Sequence, residues 1–204
     1  GDPAALPSLV SALDDPSRHV SESAMRAIGE LLRDDPSLVL SVRQGITTIG
    51  KLSRARVLEA IDSADPTLRR AVLPVLALLA EPGAGAETDA LLRALRDPDI
   101  AVDAETAVAS LGEAILPALL DVARRGEAPS RAAALAVLPR VVRERDEVIE
   151  VLRDALRDPD CEVVAAAAAA FAAALSHGVL PNAADVHTLL RIAAGRDGTR
   201  GAPA

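Results

Sequence analysis

The feature that most constrains the fold of this chain is a recurring Asp-Pro dipeptide. The hexapeptide ALRDPD occurs twice, at Ala94–Asp99 and at Ala155–Asp160, which are 61 positions apart. From Pro36 onward, Asp-Pro or the related Ala-Pro recurs, and the intervals between these prolines are 30, 32, 31 and 30 residues. An aspartate can cap the start of a helix, and proline is tolerated in the first helical turn. The spacing therefore predicts a stacked helical unit that repeats along the chain.

Each corner separates two kinds of apolar segment. After the corners, four ten-residue windows align without gaps and carry apolar residues or alanine at their fifth, eighth and ninth places, which is one face of a helix: Val20–Gly29, Leu68–Ala77, Ser130–Pro139 and Val163–Ala172. Two more windows, Val42–Gly50 and Val102–Gly112, fit after a slip of one residue. Shorter apolar segments precede the corners, at Leu6–Leu13, Thr88–Leu95, Ile115–Ala123 and Ile149–Leu156. The pattern predicts outer and inner helices in alternation.

The available apolar residues also favour helices over strands. Half of the residues are hydrophobic, yet the chain has one Phe, no Trp and no Tyr, so Ala, Leu and Val must form the core. Small alanine-rich faces suit helices that pack closely on helices. Since β-branched and aromatic residues form no alternating run, we expect an all-α fold.

From Pro3 to Ala194 the chain resembles the HEAT-repeat family, in particular the short prokaryotic type also seen in phycobilin-lyase-like proteins. That family has an outer helix, an Asp-Pro turn and an inner helix reading Val-Arg-x-x-Ala-x-x-x-Leu-Gly. The resemblance implies a right-handed α-α superhelix, or solenoid, of about five to six helix pairs with the inner helices on its concave face. The family's arginine is matched by Arg43, Arg69 and Arg131 but replaced by Ser21, Asp103 and Val164. Any ladder of Asp–Arg contacts is therefore expected to be interrupted.

One repeat domain is predicted over residues 1–194, with a disordered tail at 195–204 that is rich in Gly and Pro. The segment 81–87 is either a hinge or simply a longer loop. Gly29 and Gly50 are only 21 residues apart, which is too short for a full helix pair. Either the outer helix of the second unit is missing, or the helix 17–33 serves two neighbours. We expect a distorted N-terminal cap there.

Charge and composition disfavour two classes of partner. The net charge of -8 and the scarcity of aromatic rings argue against a nucleic acid. The longest apolar run, Val163–Leu175, has 13 residues, which is shorter than a membrane span, so no membrane association is expected. Cys161 is alone and no disulfide framework can form within the chain, which agrees with a cytoplasmic location.

The sequence contains no recognisable catalytic or metal-binding constellation. His19 lies in a predicted turn, and the ten residues between His177 and His187 do not match the spacing of a helical metal pair. Cys161 at a helix start is either a reactive thiol or a small packed residue. The pairs Asp14–Asp15 and Asp34–Asp35 are interpreted as turn and cap residues rather than as a cation site. No catalytic residue, cofactor or metal is therefore predicted.

The predicted function is that of a non-catalytic protein–protein interaction scaffold. On the HEAT resemblance, the candidate partner-binding residues are polar positions of the inner helices: Arg43, Gln44, Thr47, Arg69, Arg70, Asp103, Glu105 and Arg131. The same residues can instead tie successive turns together. The partner would be another protein or a peptide segment carrying both charges.

Other interpretations stay open at the level of sequence. Arginines near the ends of the outer helices form either a basic ridge for an acidic partner or cations that offset the helix dipole: Arg33, Arg93, Arg96, Arg124, Arg125, Arg153 and Arg157. The resemblance also allows an enzyme or enzyme accessory, bilin lyase-like or DNA glycosylase-like, although the aromatic residues that these need are missing. A structural segment of a larger protein is the third alternative.

Overall fold

A computed structural model describes residues 3–46, 50–81, 85–142 and 146–176, together with 186, 187, 189 and 190. All regular structure within these residues is helical, which confirms the all-α prediction. The helices are α1 (Leu6–Ala12), α2 (Arg18–Asp34), α3 (Val39–Ile46), α4 (Lys51–Ala60), α5 (Pro66–Leu79), α6 (Ala86–Ala94), α7 (Ala101–Ser110), α8 (Leu116–Arg125), α9 (Ala128–Val141), α10 (Asp146–Ala155) and α11 (Cys161–Ser176). Short 3-10 turns precede α1, α3 and α8.

Asp35 and Asp65 cap the helices that directly follow them, as the sequence predicts, whereas Asp97 and Asp158 stabilise the turns that precede α7 and α11. Each carboxylate accepts a hydrogen bond from the backbone amide two residues further on, at 3.0 Å for Asp35, 2.8 Å for Asp65, 3.0 Å for Asp97 and 2.9 Å for Asp158. At Asp35 and Asp65 the bond satisfies an amide of the first helical turn, and proline beside it has no amide to satisfy. The two copies of ALRDPD are therefore the same structural corner.

The chain divides into two compact units, Gly1–Ala118 and Leu119–Ala204. In the first unit the inner helices α2, α5 and α7 pack side by side in that order, while α1, α4 and α6 pack behind them as outer helices. This serial stacking of helix pairs is the α-solenoid arrangement. In the second unit α9 packs along α11, and α10 also packs on α11. Ala134 on α9 and Ala167 on α11 are fully buried.

A glycine sets the distance between α2 and α5. A Cβ added to Gly29 would lie 2.3 Å from the carbonyl oxygen of Ala71, far inside a normal contact. The missing side chain thus allows the two backbones to approach closely, and Met25 and Ile28 on α2 are fully buried beside this contact face.

The irregularity predicted near residues 29–50 is present. Between α2 and α3 there is only the 3-10 turn Pro36–Leu38, so no outer helix precedes α3. The helix α3 overlaps the window 42–50 and packs against α1 and α5 through the buried Val42 and Ile46, while α2 packs directly on α5. The next outer helix is α4, which packs on α5.

The hinge or loop predicted at 81–87 and the disordered tail predicted at 195–204 stay predictions. The segment 81–87 lies inside the first unit, and its residues 82–84 are outside the described residues, as is the tail 195–204.

Among the described helices, none is by itself long and apolar enough to cross a membrane, although the bent pair Ala101–Ser110 and Gly112–Arg125 passes that test jointly.

Candidate functional site

A groove of about 320 Å³ lies on the inner helices of the first unit. The helix α5 forms its centre, because it packs against both α3 and α7. The end of α2 and the turn before α3 complete the wall on one side. The lining residues are Leu32, Arg33, Pro36, Val39, Arg43, Arg70, Leu73, Pro74, Ala77, Leu78, Val102, Asp103, Thr106, Ala107 and Ser110.

The centre of the groove is apolar because of the helical spacing on α5. Leu73, Pro74, Ala77 and Leu78 follow one another at intervals that place them on one face of a helix. Across from them, Val102 at the start of α7 is 74% exposed although its side chain is fully apolar. The groove therefore presents aliphatic surface to solvent.

The charged residues of the groove differ in what they contact. Within the described part of the chain, Arg33 and Arg43 form no ion pair and no side-chain hydrogen bond. On the opposite wall Arg70 pairs with Asp103 at 3.2 Å and donates to the backbone carbonyl of Asp99 at 2.8 Å. Three arginines and one aspartate give the lining a net charge of +2, whereas the whole chain carries -8.

Proline inside α5 changes the hydrogen bonding along the groove. Pro74 has no amide hydrogen, so the carbonyl oxygen of Arg70 lacks its usual helical donor four residues ahead. Both residues line the groove.

Three of the predicted partner-binding residues come together in this groove, namely Arg43, Arg70 and Asp103. Gln44 on α3 is exposed and Glu105 on α7 is half-buried, and neither lines the groove. Thr47 lies outside the described residues.

Arg69 and Arg131 instead tie successive helix pairs together. Arg69 forms ion pairs with Asp97 at 3.0 Å and Asp99 at 2.9 Å, and its side chain is only 12% exposed. Arg131 donates from two nitrogens to the two carboxylate oxygens of Asp158, at 3.1 and 2.7 Å. These contacts match the structural alternative that the sequence left open.

A third tie was not predicted. Arg26 in α2 forms an ion pair with Asp65, the capping residue of α5, although the position that corresponds to Arg69 and Arg131 is Ser21 in this helix. The signal was present in the sequence as an arginine five residues further along α2. The ladder is thus displaced here rather than interrupted.

The corner residues Asp65 and Asp158 are held in their charged form. Hydrogen bonds from the hydroxyl and the amide of Thr67, reinforced by Arg26, lower the pKa of Asp65 to about 2. At Asp158, burial acts to raise the pKa, but hydrogen bonds from Arg131 and the amide of Asp160 lower it below its usual value. Both carboxylates are therefore ionised throughout the physiological range.

Asp15 behaves as a turn residue, whereas its neighbour Asp14 makes long-range contacts. Asp15 accepts from the amide of Ser17 at 2.8 Å, and Asp14 accepts from the amide of Gly50 at 3.1 Å and from the hydroxyl of Ser53. Asp14 thus connects α1 to the start of α4. Over the described ranges, no group of three or more His, Cys, Asp and Glu residues is arranged to hold a metal ion.

The exposure of Val102 was not predicted from the sequence. Val102 belongs to the apolar stripe of a predicted inner helix, and such a stripe is normally buried. Pro74 was the sequence signal that this inner helix is irregular, because proline in the interior of a helix removes one backbone hydrogen bond.

No family model matches the sequence, and no curated protein matches it either. Among solved structures, the chain is similar to a crystal structure of an engineered protein, with 18% identity, a TM-score of 0.45, and coverage of 84% of this chain and 79% of that one. It is also similar to a designed armadillo repeat protein in complex with the peptide (KR)4, with 15% identity, a TM-score of 0.49, and coverage of 93% and 88%.

Proposed function

We propose that this protein is a non-catalytic interaction scaffold of the HEAT-repeat type, and that it binds a segment of a partner protein in the groove of its first unit. The observation that carries the proposal is the apolar wall of the groove, where Val102 is 74% exposed. Apolar surface gathered in a concave site between packed helices is typical of binding sites. The Asp-Pro corners and the Arg–Asp ties support the HEAT-type assignment.

The polar residues of the groove support binding rather than catalysis. The hydroxyl of Thr106 donates to the carbonyl of Val102 at 3.0 Å, and that of Ser110 donates to the carbonyl of Ala107 at 2.7 Å. Both hydroxyls therefore bond within α7 and are not paired with a base. A nucleophile needs such a base within hydrogen-bond reach.

Affinity capture with matched baits tests this function. The chain and its Val102→Asp variant are immobilised and exposed to lysate of the cells that produce the protein, and retained proteins are identified by mass spectrometry. We expect one or more proteins that the unmodified bait retains and the Val102→Asp bait loses, because a carboxylate on the groove wall would have to be desolvated on binding.

Leu40→Asp is the matched control, since Leu40 is 71% exposed but does not line the groove. This bait should retain the same proteins as the unmodified chain. Identical sets of retained proteins from the Val102→Asp and unmodified baits would refute the proposed function.

A further inference from the structure

We infer that the occupant of the groove is an acidic peptide segment with a bulky aliphatic side chain. The inference rests on the proposed function and names the chemistry of the partner. It is carried by the juxtaposition of Arg33 and Arg43 with the apolar face of α5.

Charge complementarity favours an acidic segment. Arg33 and Arg43 belong to the wall formed by the end of α2 and by α3, and neither is engaged by another described residue. The third arginine, Arg70, is held by Asp103 and by the carbonyl of Asp99 on the other wall. A ligand carboxylate can therefore pair with the first two arginines without breaking an existing ion pair. The whole chain carries a net charge of -8, whereas the groove lining carries +2. An acidic segment is therefore attracted to the groove and repelled by the rest of the molecule.

The apolar face favours an aliphatic anchor. Pro74, Leu78 and Val102 give the groove a concave apolar surface, and no aromatic residue lines it. The groove volume of about 320 Å³ is at the lower end of ligand sites. Leucine or isoleucine would exclude water from this surface while acidic neighbours contact the arginines.

The backbone acceptor on α5 favours a peptide over an isolated carboxylate. The carbonyl oxygen of Arg70, which Pro74 leaves without its helical donor, can accept an N–H from a ligand backbone. A fatty acid offers a carboxylate and aliphatic carbons but no such donor. A peptide satisfies the cations, the apolar face and the acceptor together.

Fluorescence anisotropy with three labelled peptides of equal length tests the inference on the full chain. Leucines alternate with Asp and Glu in the first peptide, with Asn and Gln in the second, and with Lys in the third. We expect measurable binding of the acidic peptide, weaker binding of the neutral one and none of the basic one. Raising NaCl to about 0.5 M should weaken the acidic complex, because salt screens exposed ion pairs.

Substitutions then connect the binding to the groove. Arg43→Gln is expected to weaken the acidic complex roughly two- to fivefold, and Arg33→Gln with Arg43→Gln roughly tenfold, as for exposed charge pairs. Pro74→Ala supplies an amide to the carbonyl of Arg70 and should weaken it as well. Arg93→Gln is the matched control, because Arg93 is exposed on α6, away from the groove.

Equal affinity for the acidic and neutral peptides, or no binding of any peptide, would overturn the inference. So would an effect of Arg93→Gln as large as that of Arg43→Gln. None of these results would contradict a Val102-dependent capture of a partner protein. Failure of the partner chemistry is thus distinguishable from failure of the scaffold function.

Discussion

At the scale of single residues, the same amino acid has two roles here, and the group opposite each guanidinium decides between them. Arg69 and Arg131 face aspartates of the following corner and are largely buried. Arg43 belongs to the displaced helix α3 and faces the groove. The repeated sequence pattern places all three at equivalent positions, so the sequence could not separate a structural tie from a surface cation.

We expect Arg131→Ala to destabilise the protein by about 2–4 kcal/mol, because the largely buried Asp158 would lose its two charged hydrogen bonds. Urea denaturation followed by circular dichroism measures the change. Arg125→Ala is the control, since Arg125 is 81% exposed in its pair with Asp121. That control should cost less than about 1 kcal/mol. Equal losses in the two variants would show that the Arg131–Asp158 pair contributes no more to the free energy of unfolding than an exposed ion pair does.

Asp65 should make stability depend on pH. Its pKa of about 2 in the folded state is below the value of roughly 3.9 for an unfolded chain, so the folded state binds fewer protons. The contribution is therefore complete above about pH 5 and is lost as the pH falls toward 2. Asn retains a capping oxygen but no charge. The excess stability of the unmodified chain over Asp65→Asn should be present at pH 7 and shrink by pH 3 in urea midpoints. A difference that does not change with pH would contradict this assignment.

At the scale of elements, the sequence predicts helices well where the repeat is regular and poorly where it is not. The predicted window Leu68–Ala77 lies within α5, and Val102–Gly112 covers most of α7 and runs into the turn after it. The apolar stripe indicates the helix, and the Asp-Pro corner indicates where it begins. The window 42–50 has the same stripe, yet α3 packs on α1 as well as α5. A stripe shows that a face is buried but does not show which neighbour buries it.

Gly29→Ala tests the close approach of α2 and α5. In an exposed helix this change is stabilising by about 1 kcal/mol, but here the new Cβ meets the backbone of Ala71. We expect a loss of about 1–3 kcal/mol from overpacking, measured by urea denaturation. Gly85→Ala is the control, because among the described residues the added Cβ would meet a Glu87 side-chain oxygen at an ordinary distance of 3.7 Å. A stabilised Gly29→Ala variant would mean that the helices separate without cost.

At the scale of the whole molecule, the predictable part is the repeat itself. The corners, the helix alternation and the all-α class follow from spacing and composition, because each repeat packs the same kind of helix pair against its neighbours. The groove could not be predicted, since it depends on α3, on Pro74 and on the exposure of Val102 together. Such a surface is a property of the irregular places in the array.

The two compact units provide the last prediction, which concerns how far a local change spreads. In repeat proteins stability comes largely from contacts between neighbouring repeats, so destabilisation should stay near its origin. Hydrogen exchange with mass spectrometry on Gly29→Ala should show faster exchange in α2 and α5, whose backbones meet at Gly29. Peptides from α9 and α11 in the second unit should exchange as in the unmodified chain. Arg131→Ala should give the converse pattern, because its tie to Asp158 lies in the second unit. Equal acceleration along the whole chain in either variant would instead show that the array unfolds as one cooperative unit.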